Sequence, residues 1–246
     1  MPTYQLYYWP VLQGRGEYVR VLFEDAGIDY VDVAREPTSE GGGVPGLLAV
    51  LNDGVGGVVP YAPPFVVVDG ELVWQTANVL QFVARREGLL PDDAYVQARL
   101  HQLQLTVADV VSEVHDTHHP ISSGLYYEDQ KEEALRATQQ FIDERIPKFF
   151  RHFELNLAQN DAGPGFVGDA MTYVDLSVWQ TLEGLTAAFP KAVAKLLPDH
   201  PKLAALRIAV NERPRLAAYV ASERRLPFNE DGIFRPYPEL DLSVTP

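Results

Sequence analysis

Every strand signal in this chain falls in its first third, and this division constrains the fold more than any other feature of the sequence. Residues 3–8 and 28–35 read as strands, and residues 65–74 contain two apolar runs separated by a turn. After the segment EGLLPDD at residues 87–93, apolar side chains recur only at helical spacing. The sequence therefore predicts a mixed α/β unit followed by a unit built from helices alone.

The first unit is predicted to begin strand–helix–strand and to end strand–strand–helix. Gly14 and Gly16 supply the first turn, and the crossover that follows predicts a parallel pair for the first two strands. Asp69-Gly70 is a two-residue hairpin signal, which makes the last two strands antiparallel. The next helix is predicted to begin at Gln75. Residues 41–57 are expected to form a loop with one short helix.

The second unit shows two apolar helical faces and a helix-start motif. Thr172 and Asp175 have the spacing of a capping box, in which each side chain satisfies a free backbone amide of the other residue. The last regular helix is predicted over residues 203–220. The two faces consist of Leu100, Leu103, Val107, Val110 and Val114 in one helix, and of Leu135, Thr138, Ile142, Phe149 and Phe153 in a long charged one.

These patterns define the predicted domains. A mixed α/β domain covers residues 1–88, a helical domain covers residues 94–225, and residues 226–246, with four prolines and no periodicity, form an extended tail. The chain of 246 residues is 46% apolar, which is enough for a full core.

Charge and cysteine content exclude several functions. The net charge of −14 argues against nucleic acid or an anionic membrane as the main partner. The chain has no cysteine, so disulfides, thiolate metal sites and a cysteine nucleophile are excluded, and a reactive thiol has to come from the ligand. The sequence shows neither a signal segment nor a membrane-spanning apolar run, so we expect a soluble cytoplasmic protein.

Four stretches in this order resemble the cytosolic glutathione S-transferases of the tyrosine type, in a bacterial-like form. They are YYWPVLQGRGE, PPFVVVDGELVWQTANVL, EVHDTHHPI and GFVGDAMTYVDLSVWQTL. The resemblance implies a thioredoxin-like N-terminal domain followed by a helical-bundle C-terminal domain, normally in a homodimer. It also implies glutathione as a co-substrate, an electrophilic acceptor and no metal.

In tyrosine-type members, a tyrosine after the first strand directs its hydroxyl at the glutathione sulfur, and Tyr8 matches this position. A donated O–H favours the thiolate, which is the nucleophilic form of the thiol. Strand alternation places Tyr7 and Tyr8 on opposite faces, so only one of them is expected to face the ligand, with Tyr7 as the alternative. A second interpretation is that both tyrosines and Trp9 only pack in the core.

The resemblance implies four further contacts to glutathione in the first domain. Arg15 matches an arginine that faces a carboxylate, although it could equally be a solvated charge at a helix start. Pro64 matches a proline that is normally cis, and the residue before it, Pro63, has no N–H for the usual backbone bond to the cysteinyl part. Gln75 and Thr76 match the pair that receives the γ-glutamyl end at a helix start. Thr76 could also serve only as a cap.

The helical domain is expected to contribute Asp109, which in some classes reaches the α-amino group of glutathione in the neighbouring subunit. His115 and His118 are three residues apart and could share a helical face, but the sequence offers no distant ligand cluster, so we expect no metal. Structural histidines are the alternative to a role in substrate contact. The acceptor pocket is expected between the domains, lined by Tyr7, Trp9, His115, His119 and Phe228.

The main hypothesis is therefore a glutathione transferase that acts on an apolar electrophile through Tyr8. Two alternatives remain: a glutathione-dependent isomerase or lyase of one metabolite, and a non-catalytic glutathione-binding module, which the departure at Pro63 keeps open. Thr172 and Asp175 are expected to matter for folding rather than turnover.

Overall fold

The computed structural model describes residues 3–245, and its single sheet belongs to the N-terminal part of the chain. The four strands are β1 (Tyr4–Tyr7), β2 (Tyr30–Asp32), β3 (Phe65–Val68) and β4 (Glu71–Trp74). Their order across the sheet is β2-β1-β3-β4. β1 and β2 are parallel, whereas β3 pairs antiparallel with both β1 and β4. The predicted parallel pair and the hairpin at Asp69-Gly70 are both confirmed.

Three helices cover this sheet: α1 (Gly16–Ala26), α2 (Gly43–Asp53) and α3 (Thr76–Arg86). The prediction for residues 41–57, mainly a loop with one short helix, was wrong: most of this stretch is α2, which has eleven residues. Its glycines hid the helical pattern, and Leu47 is its fully buried apolar anchor. The strand predicted over residues 28–35 is also shorter than expected, since a 3₁₀ turn follows β2 directly.

The second unit is built from helices: α4 (Ala94–His118), α5 (Lys131–Gln140), α6 (Ile146–Leu157), α7 (Tyr173–Ala188), α8 (Pro190–Leu196) and α9 (Pro201–Asn211). A π-helical turn, Phe141–Arg145, joins α5 to α6, whose first turn contains Pro147 and so lacks one donor. The predicted apolar face of α4 is buried as expected. The prediction that Leu135 belongs to the second buried face was wrong, because this residue is 45% exposed. None of the helices described is long and apolar enough to cross a membrane.

The predicted capping box begins α7, the most deeply buried helix of this unit, and is confirmed. The carboxylate of Asp175 accepts the Thr172 amide at 2.6 Å and the Thr172 hydroxyl at 2.7 Å. Its second oxygen accepts the amide of Phe166 at 2.8 Å. Burial raises the pKa of Asp175, although these hydrogen bonds oppose the shift. These groups are buried inside the helical unit, and their role in folding rather than turnover stays a prediction.

The last predicted helix, over residues 203–220, is two helices, because Pro214 cannot continue the hydrogen-bond pattern of α9. The second of them is α10 (Pro214–Val220). Arg213–Pro227 groups with the first unit, whereas the sequence placed residues 94–225 in one domain. The guanidinium of Arg213 forms a double hydrogen bond to Asp25 of α1, which explains the grouping.

The tail from Phe228 onward belongs to the helical unit and is extended, as predicted, apart from a 3₁₀ turn at Pro238–Leu240. It is more firmly attached than the sequence indicated. The side chains of Ile233, Phe234 and Leu240 are buried within this unit.

Candidate active site

The strand register brings three predicted site segments to one end of the sheet. Tyr7 ends β1, Phe65 begins β3 and Trp74 ends β4, and these three residues are cross-strand neighbours in one row. The chain segments that leave the sheet beside this row therefore lie close together. The residues next to the row are Tyr8, Pro64 and Gln75.

Tyr8 places its hydroxyl at the start of α1. Its oxygen accepts a hydrogen bond from the amide of Arg15 at 2.9 Å. Arg15 directly precedes the first residue of α1, so this amide is one of the donors that a helix leaves without a partner of its own. The phenol oxygen therefore caps the helix, and no described residue accepts a hydrogen bond from the Tyr8 O–H.

Two glycines allow this close approach. A Cβ atom at Gly14 would lie 2.1 Å from the Tyr8 hydroxyl oxygen, and one at Gly16 would lie 2.3 Å from the ring. Gly14 also has a φ of +47°, which favours glycine. The GRG motif is thus required by the tyrosine, a role that sequence reasoning missed because it assigned these glycines only to a turn.

The Tyr8 phenol is protonated at neutral pH. Burial raises its pKa, while the amides of Arg15 and Gly16 and the charge of Arg20 act in the opposite direction. The Arg20 guanidinium carbon lies 5.7 Å from the centre of the Tyr8 ring. The phenol is therefore a donor whose oxygen lies close to positive charge and two amides, and such surroundings strengthen donation to an anion.

Tyr7 lies on the opposite face of the sheet, as strand alternation predicted. Its ring stacks on Phe65 with centroids 4.9 Å apart, and its hydroxyl donates to Gln5 at 3.3 Å. Burial raises the pKa of Tyr7. Tyr7 belongs to an apolar cluster with Leu47 of α2, and Trp9 packs against the same cluster. In this unit Tyr7 is a core residue.

A buried charge network lies beneath Tyr8, and sequence reasoning did not anticipate it. The Arg20 side chain is fully buried; its Nε donates to Asp32 at 2.7 Å and its Nη1 to Glu17 at 3.4 Å. Burial opposes the charge, but the two carboxylates more than offset it and raise the pKa of Arg20. The guanidinium is therefore a permanent positive charge under the phenol.

Arg15 and the proline pair lie beside this arrangement. The Arg15 side chain is half-buried and forms no ion pair with any residue in the described part of the chain. The peptide bond between Pro63 and Pro64 is cis. Pro63 is half-buried and, having no N–H, offers a ligand only its carbonyl.

Gln75 and Thr76 form the start of α3. Gln75 is exposed and has a φ of +70°, a conformation that costs about 1–3 kcal/mol in a residue other than glycine. The hydroxyl oxygen of Thr76 is buried and has no hydrogen-bond partner in the described chain. An unpaired buried hydroxyl at a helix start is suited to a bound carboxylate, which the free amides there also attract.

The remaining predicted site residues lie in the helical unit. Asp109 is exposed on α4. Phe228 is half-buried, with its ring 6.2 Å from that of Phe234. His115 and His119 stack with centroids 4.9 Å apart at the end of α4. The structure therefore places the predicted glutathione residues other than Asp109 in the first unit, whereas the predicted acceptor residues are divided between the units.

His118 completes a cluster of three imidazoles. Its Nε2 lies 2.9 Å from the carbonyl oxygen of Ile233 in the tail. Burial, with smaller contributions from the charges of Arg235, His115 and His119, lowers the pKa of His118 to about 3. Burial also lowers the pKa of His119, whose Nδ1 lies 3.1 Å from the Gln130 amide. Within residues 3–245 no group of side chains is arranged to hold a metal ion.

Comparison with known proteins identifies the family of the chain. Residues 115–223 match the family model described as glutathione S-transferase, C-terminal domain. The glutathione S-transferase P of Bos taurus is 30% identical over 94% of this chain and 99% of its own length. The hematopoietic prostaglandin D synthase of Gallus gallus is 26% identical over 89% of this chain and 96% of its own.

A solved structure of a Nu-class glutathione S-transferase from Haemonchus contortus is 26% identical, covers 92% of this chain and 99% of its own, and has a TM-score of 0.64. The fold is thus a thioredoxin-like unit with a cis-proline before its third strand, together with a helical unit. The chain belongs to the glutathione S-transferase family and is an enzyme of that family.

Proposed function

We propose that this enzyme activates the thiol of glutathione through Tyr8 and transfers the thiolate to an apolar electrophile. The observation that carries the proposal is the bond from the Arg15 amide to the Tyr8 hydroxyl. Because the phenol oxygen already accepts this amide, the O–H is left to donate outward.

The chemistry follows from the acidity of a thiol. A free thiol with a pKa of about 8.5 is only a few per cent thiolate at neutral pH, and the thiolate is the nucleophile. A hydrogen bond from Tyr8 favours the charged sulfur, and each unit by which the thiol pKa falls corresponds to about 1.4 kcal/mol. Tyr8 keeps its own proton throughout. The thiol proton passes to water as the thiolate forms. The sulfur then forms the new bond to the electrophile, and a leaving group or a pair of π electrons departs from the attacked carbon.

The rest of glutathione would be held by three groups in the first unit. The start of α3, with Gln75 and the unpaired hydroxyl of Thr76, receives the γ-glutamyl carboxylate. The unpaired guanidinium of Arg15 receives the other carboxylate. Pro63 contributes its carbonyl but no amide, so the cysteinyl part has one backbone bond fewer than the family normally supplies.

Asp109, from the neighbouring subunit of a homodimer, is proposed to meet the α-amino group. The predicted contacts of the acceptor are Trp9, His115, His119 and Phe228. Tyr7 remains the alternative to Tyr8 as the phenol that donates to sulfur.

The homodimer is tested by light scattering, which should give about twice the chain mass of 27.4 kDa. A particle of single-chain mass would contradict it.

A glutathione-dependent isomerase is the second candidate, favoured by the similarity to a prostaglandin D synthase over most of both chains. The same activated thiolate can add to a substrate, rearrange it and leave again. Products separate the two reactions, because transfer retains the thioether whereas isomerisation regenerates glutathione.

The test uses the purified enzyme, glutathione and an activated aryl halide. We expect one thioether per glutathione consumed, and a pKa for the bound thiol at least about one unit below the free value of about 8.5. Glutathione that binds with an unchanged thiol pKa would indicate a non-catalytic binding module. A substrate that can rearrange is incubated with the enzyme and glutathione in parallel, and regenerated glutathione alongside its rearranged product would indicate the isomerase.

A further inference from the structure

The segment Arg213–Pro227, almost two hundred residues away in sequence, packs along the whole of α1. At the far end of α1, Arg213 binds Asp25, with Nη2 2.7 Å from Oδ2, and the Arg215 guanidinium donates to the carbonyl of Ala26 at 2.8 Å. These bonds attach the segment to the first unit.

At the N-terminal end of α1, the same segment binds residues on both sides of the turn whose Arg15 amide donates to the Tyr8 oxygen. The Tyr219 hydroxyl and the Arg225 guanidinium donate to Oε1 of Glu17, at 2.9 and 3.0 Å. On the other side, the Gln13 side-chain amide donates to the carbonyl of Leu226 at 2.5 Å.

Residues 14–16 lie between these two anchors, and they include the backbone amide that reaches Tyr8. The turn is closed by a hydrogen bond from the Glu17 amide to the Gln13 carbonyl at 3.0 Å. Because Gln13 and Glu17 are each bound to the distant segment, the position of the Arg15 amide depends on that segment. A displacement of a few tenths of an ångström would weaken a hydrogen bond of 2.9 Å.

Burial makes Glu17 sensitive to the loss of a partner. Its side chain is 0% exposed, and its charge is balanced by Arg20 and Arg225 and hydrogen-bonded by Tyr219. A buried carboxylate that loses a donor moves toward water or toward the remaining donors. Since Glu17 lies in the first turn of α1, that movement displaces the helix start.

We infer that Glu17 and Tyr219 are positioning residues for Tyr8, and that Arg213–Pro227 is a structural part of the thiol site. The inference deepens the proposed function and rests on it. Removing the Tyr219 hydroxyl loosens the turn, weakens the bond from the Arg15 amide to Tyr8 and makes the phenol a poorer donor to sulfur.

The test compares Tyr219→Phe with Tyr30→Phe. The Tyr30 hydroxyl also donates to a glutamate of α1, Glu24, at 3.0 Å. Glu24 lies about two helical turns beyond the Arg15 amide that donates to Tyr8. Both variants remove one hydroxyl and keep the ring. The first readout is the hydrogen-exchange rate of the Arg15 amide without glutathione, and the second is the pKa of the bound glutathione thiol.

We expect Tyr219→Phe to speed exchange at Arg15 by about fivefold or more. We also expect it to raise the thiol pKa by about half a unit. Tyr30→Phe should change neither. Unchanged exchange in Tyr219→Phe, or equal changes in the two variants, would overturn the inference while leaving the proposed function intact.

Faster exchange without any change in thiol pKa would show that the turn is held as inferred but does not govern the thiol. It would overturn the positioning role in catalysis. If the wild-type enzyme itself fails to lower the thiol pKa, the proposed function fails instead, whatever the exchange rates show.

Discussion

Thr76 has a hydroxyl that the described chain does not use, and a buried group of this kind is a cost unless a ligand pairs with it. Its oxygen has no hydrogen-bond partner at the start of α3. The neighbouring Gln75 has a left-handed backbone. Both features are expected where a site is arranged for a ligand rather than for stability.

We predict that Thr76→Val weakens glutathione binding by about fivefold, or about 1 kcal/mol, because one hydrogen bond to the carboxylate is lost. The free energy of unfolding should change by less than about 0.5 kcal/mol, since the hydroxyl has no partner to lose. Calorimetric titration and denaturant unfolding measure the two quantities. Thr106→Val is the matched control, because within the described chain the Thr106 hydroxyl bonds only to the Gln102 carbonyl of its own helix. Equal affinities in both variants would contradict the assignment.

His118 shows how burial at one residue makes stability depend on pH. Its folded pKa of about 3 lies below its ordinary value of 6.5, so the unfolded chain binds a proton that the folded chain does not. Stability from this residue is therefore constant above pH 6.5 and falls as the pH decreases from 6.5 toward 3. The slope is up to about 1.4 kcal/mol per pH unit.

Because the Ile233 carbonyl can only accept, His118 donates from Nε2, and glutamine can replace this donor. Between pH 7.5 and pH 5, we predict that the wild type loses about 2 kcal/mol more unfolding free energy than His118→Gln. His152→Gln, at an exposed position, should behave as the wild type. Parallel pH profiles for the wild type and His118→Gln would show that His118 is not buried as a neutral ring.

At the scale of elements, the tail packs closely against α7 at Gly184. A Cβ atom there would lie 2.4 Å from the Phe234 ring, which rests on the bare backbone of the helix. A glycine inside a helix normally costs about 1 kcal/mol relative to alanine. Its presence here is explained by the close contact with the tail.

We therefore predict that Gly184→Ala lowers the free energy of unfolding by about 1–2 kcal/mol, since overpacking outweighs the gain in helix propensity. Denaturant unfolding measures the change. Gly124→Ala is the control, because the nearest atom to its added Cβ is 3.5 Å away. The double variant Gly184→Ala/Phe234→Leu should recover part of the loss. A stabilised Gly184→Ala would mean that the tail does not rest on α7.

Most elements could be predicted from the sequence where one periodicity dominated. The Asp69-Gly70 turn and the face of α4 containing Leu100 and Val107 were of this kind. α2 was underestimated because its glycines and a proline resemble loop composition, and its helix depends on packing around Leu47. Leu135 fits a helical period but faces outward, since periodicity cannot tell a solvent face from a buried one.

The candidate site was less predictable than the elements. The resemblance to the glutathione S-transferases suggested Tyr8, Gln75 and Thr76, because each matches a family motif at a strand end or a helix start. It could not show that the Arg15 amide meets the phenol, because that contact depends on the backbone path through residues 14–16.

At the scale of the whole molecule, the sequence correctly divided the chain into a mixed unit and a helical unit, as the change in periodicity near residue 90 indicated. It could not predict that Arg213–Pro227 would group with the first unit, since the segment's helical pattern is the same as that of its neighbours. The long-range ion pair between Arg213 and Asp25 is not visible in any local window of sequence. Long-range pairing of this kind is the part of a fold that composition and periodicity leave undetermined.

The central claim is that the Tyr8 hydroxyl stabilises the thiolate of bound glutathione. The most direct measurement is the pKa of that thiol, by thiolate absorbance, in the wild type, Tyr8→Phe and Tyr7→Phe. We predict a rise of about one unit in Tyr8→Phe, with a loss in kcat/KM at neutral pH of at least about tenfold, or about 1.4 kcal/mol. Tyr7→Phe should change the rate by less than about twofold, because the Tyr7 hydroxyl makes only a 3.3 Å bond to the exposed Gln5, and its ring packs in a different cluster. An unchanged thiol pKa in Tyr8→Phe, or a larger shift in Tyr7→Phe, would contradict the account.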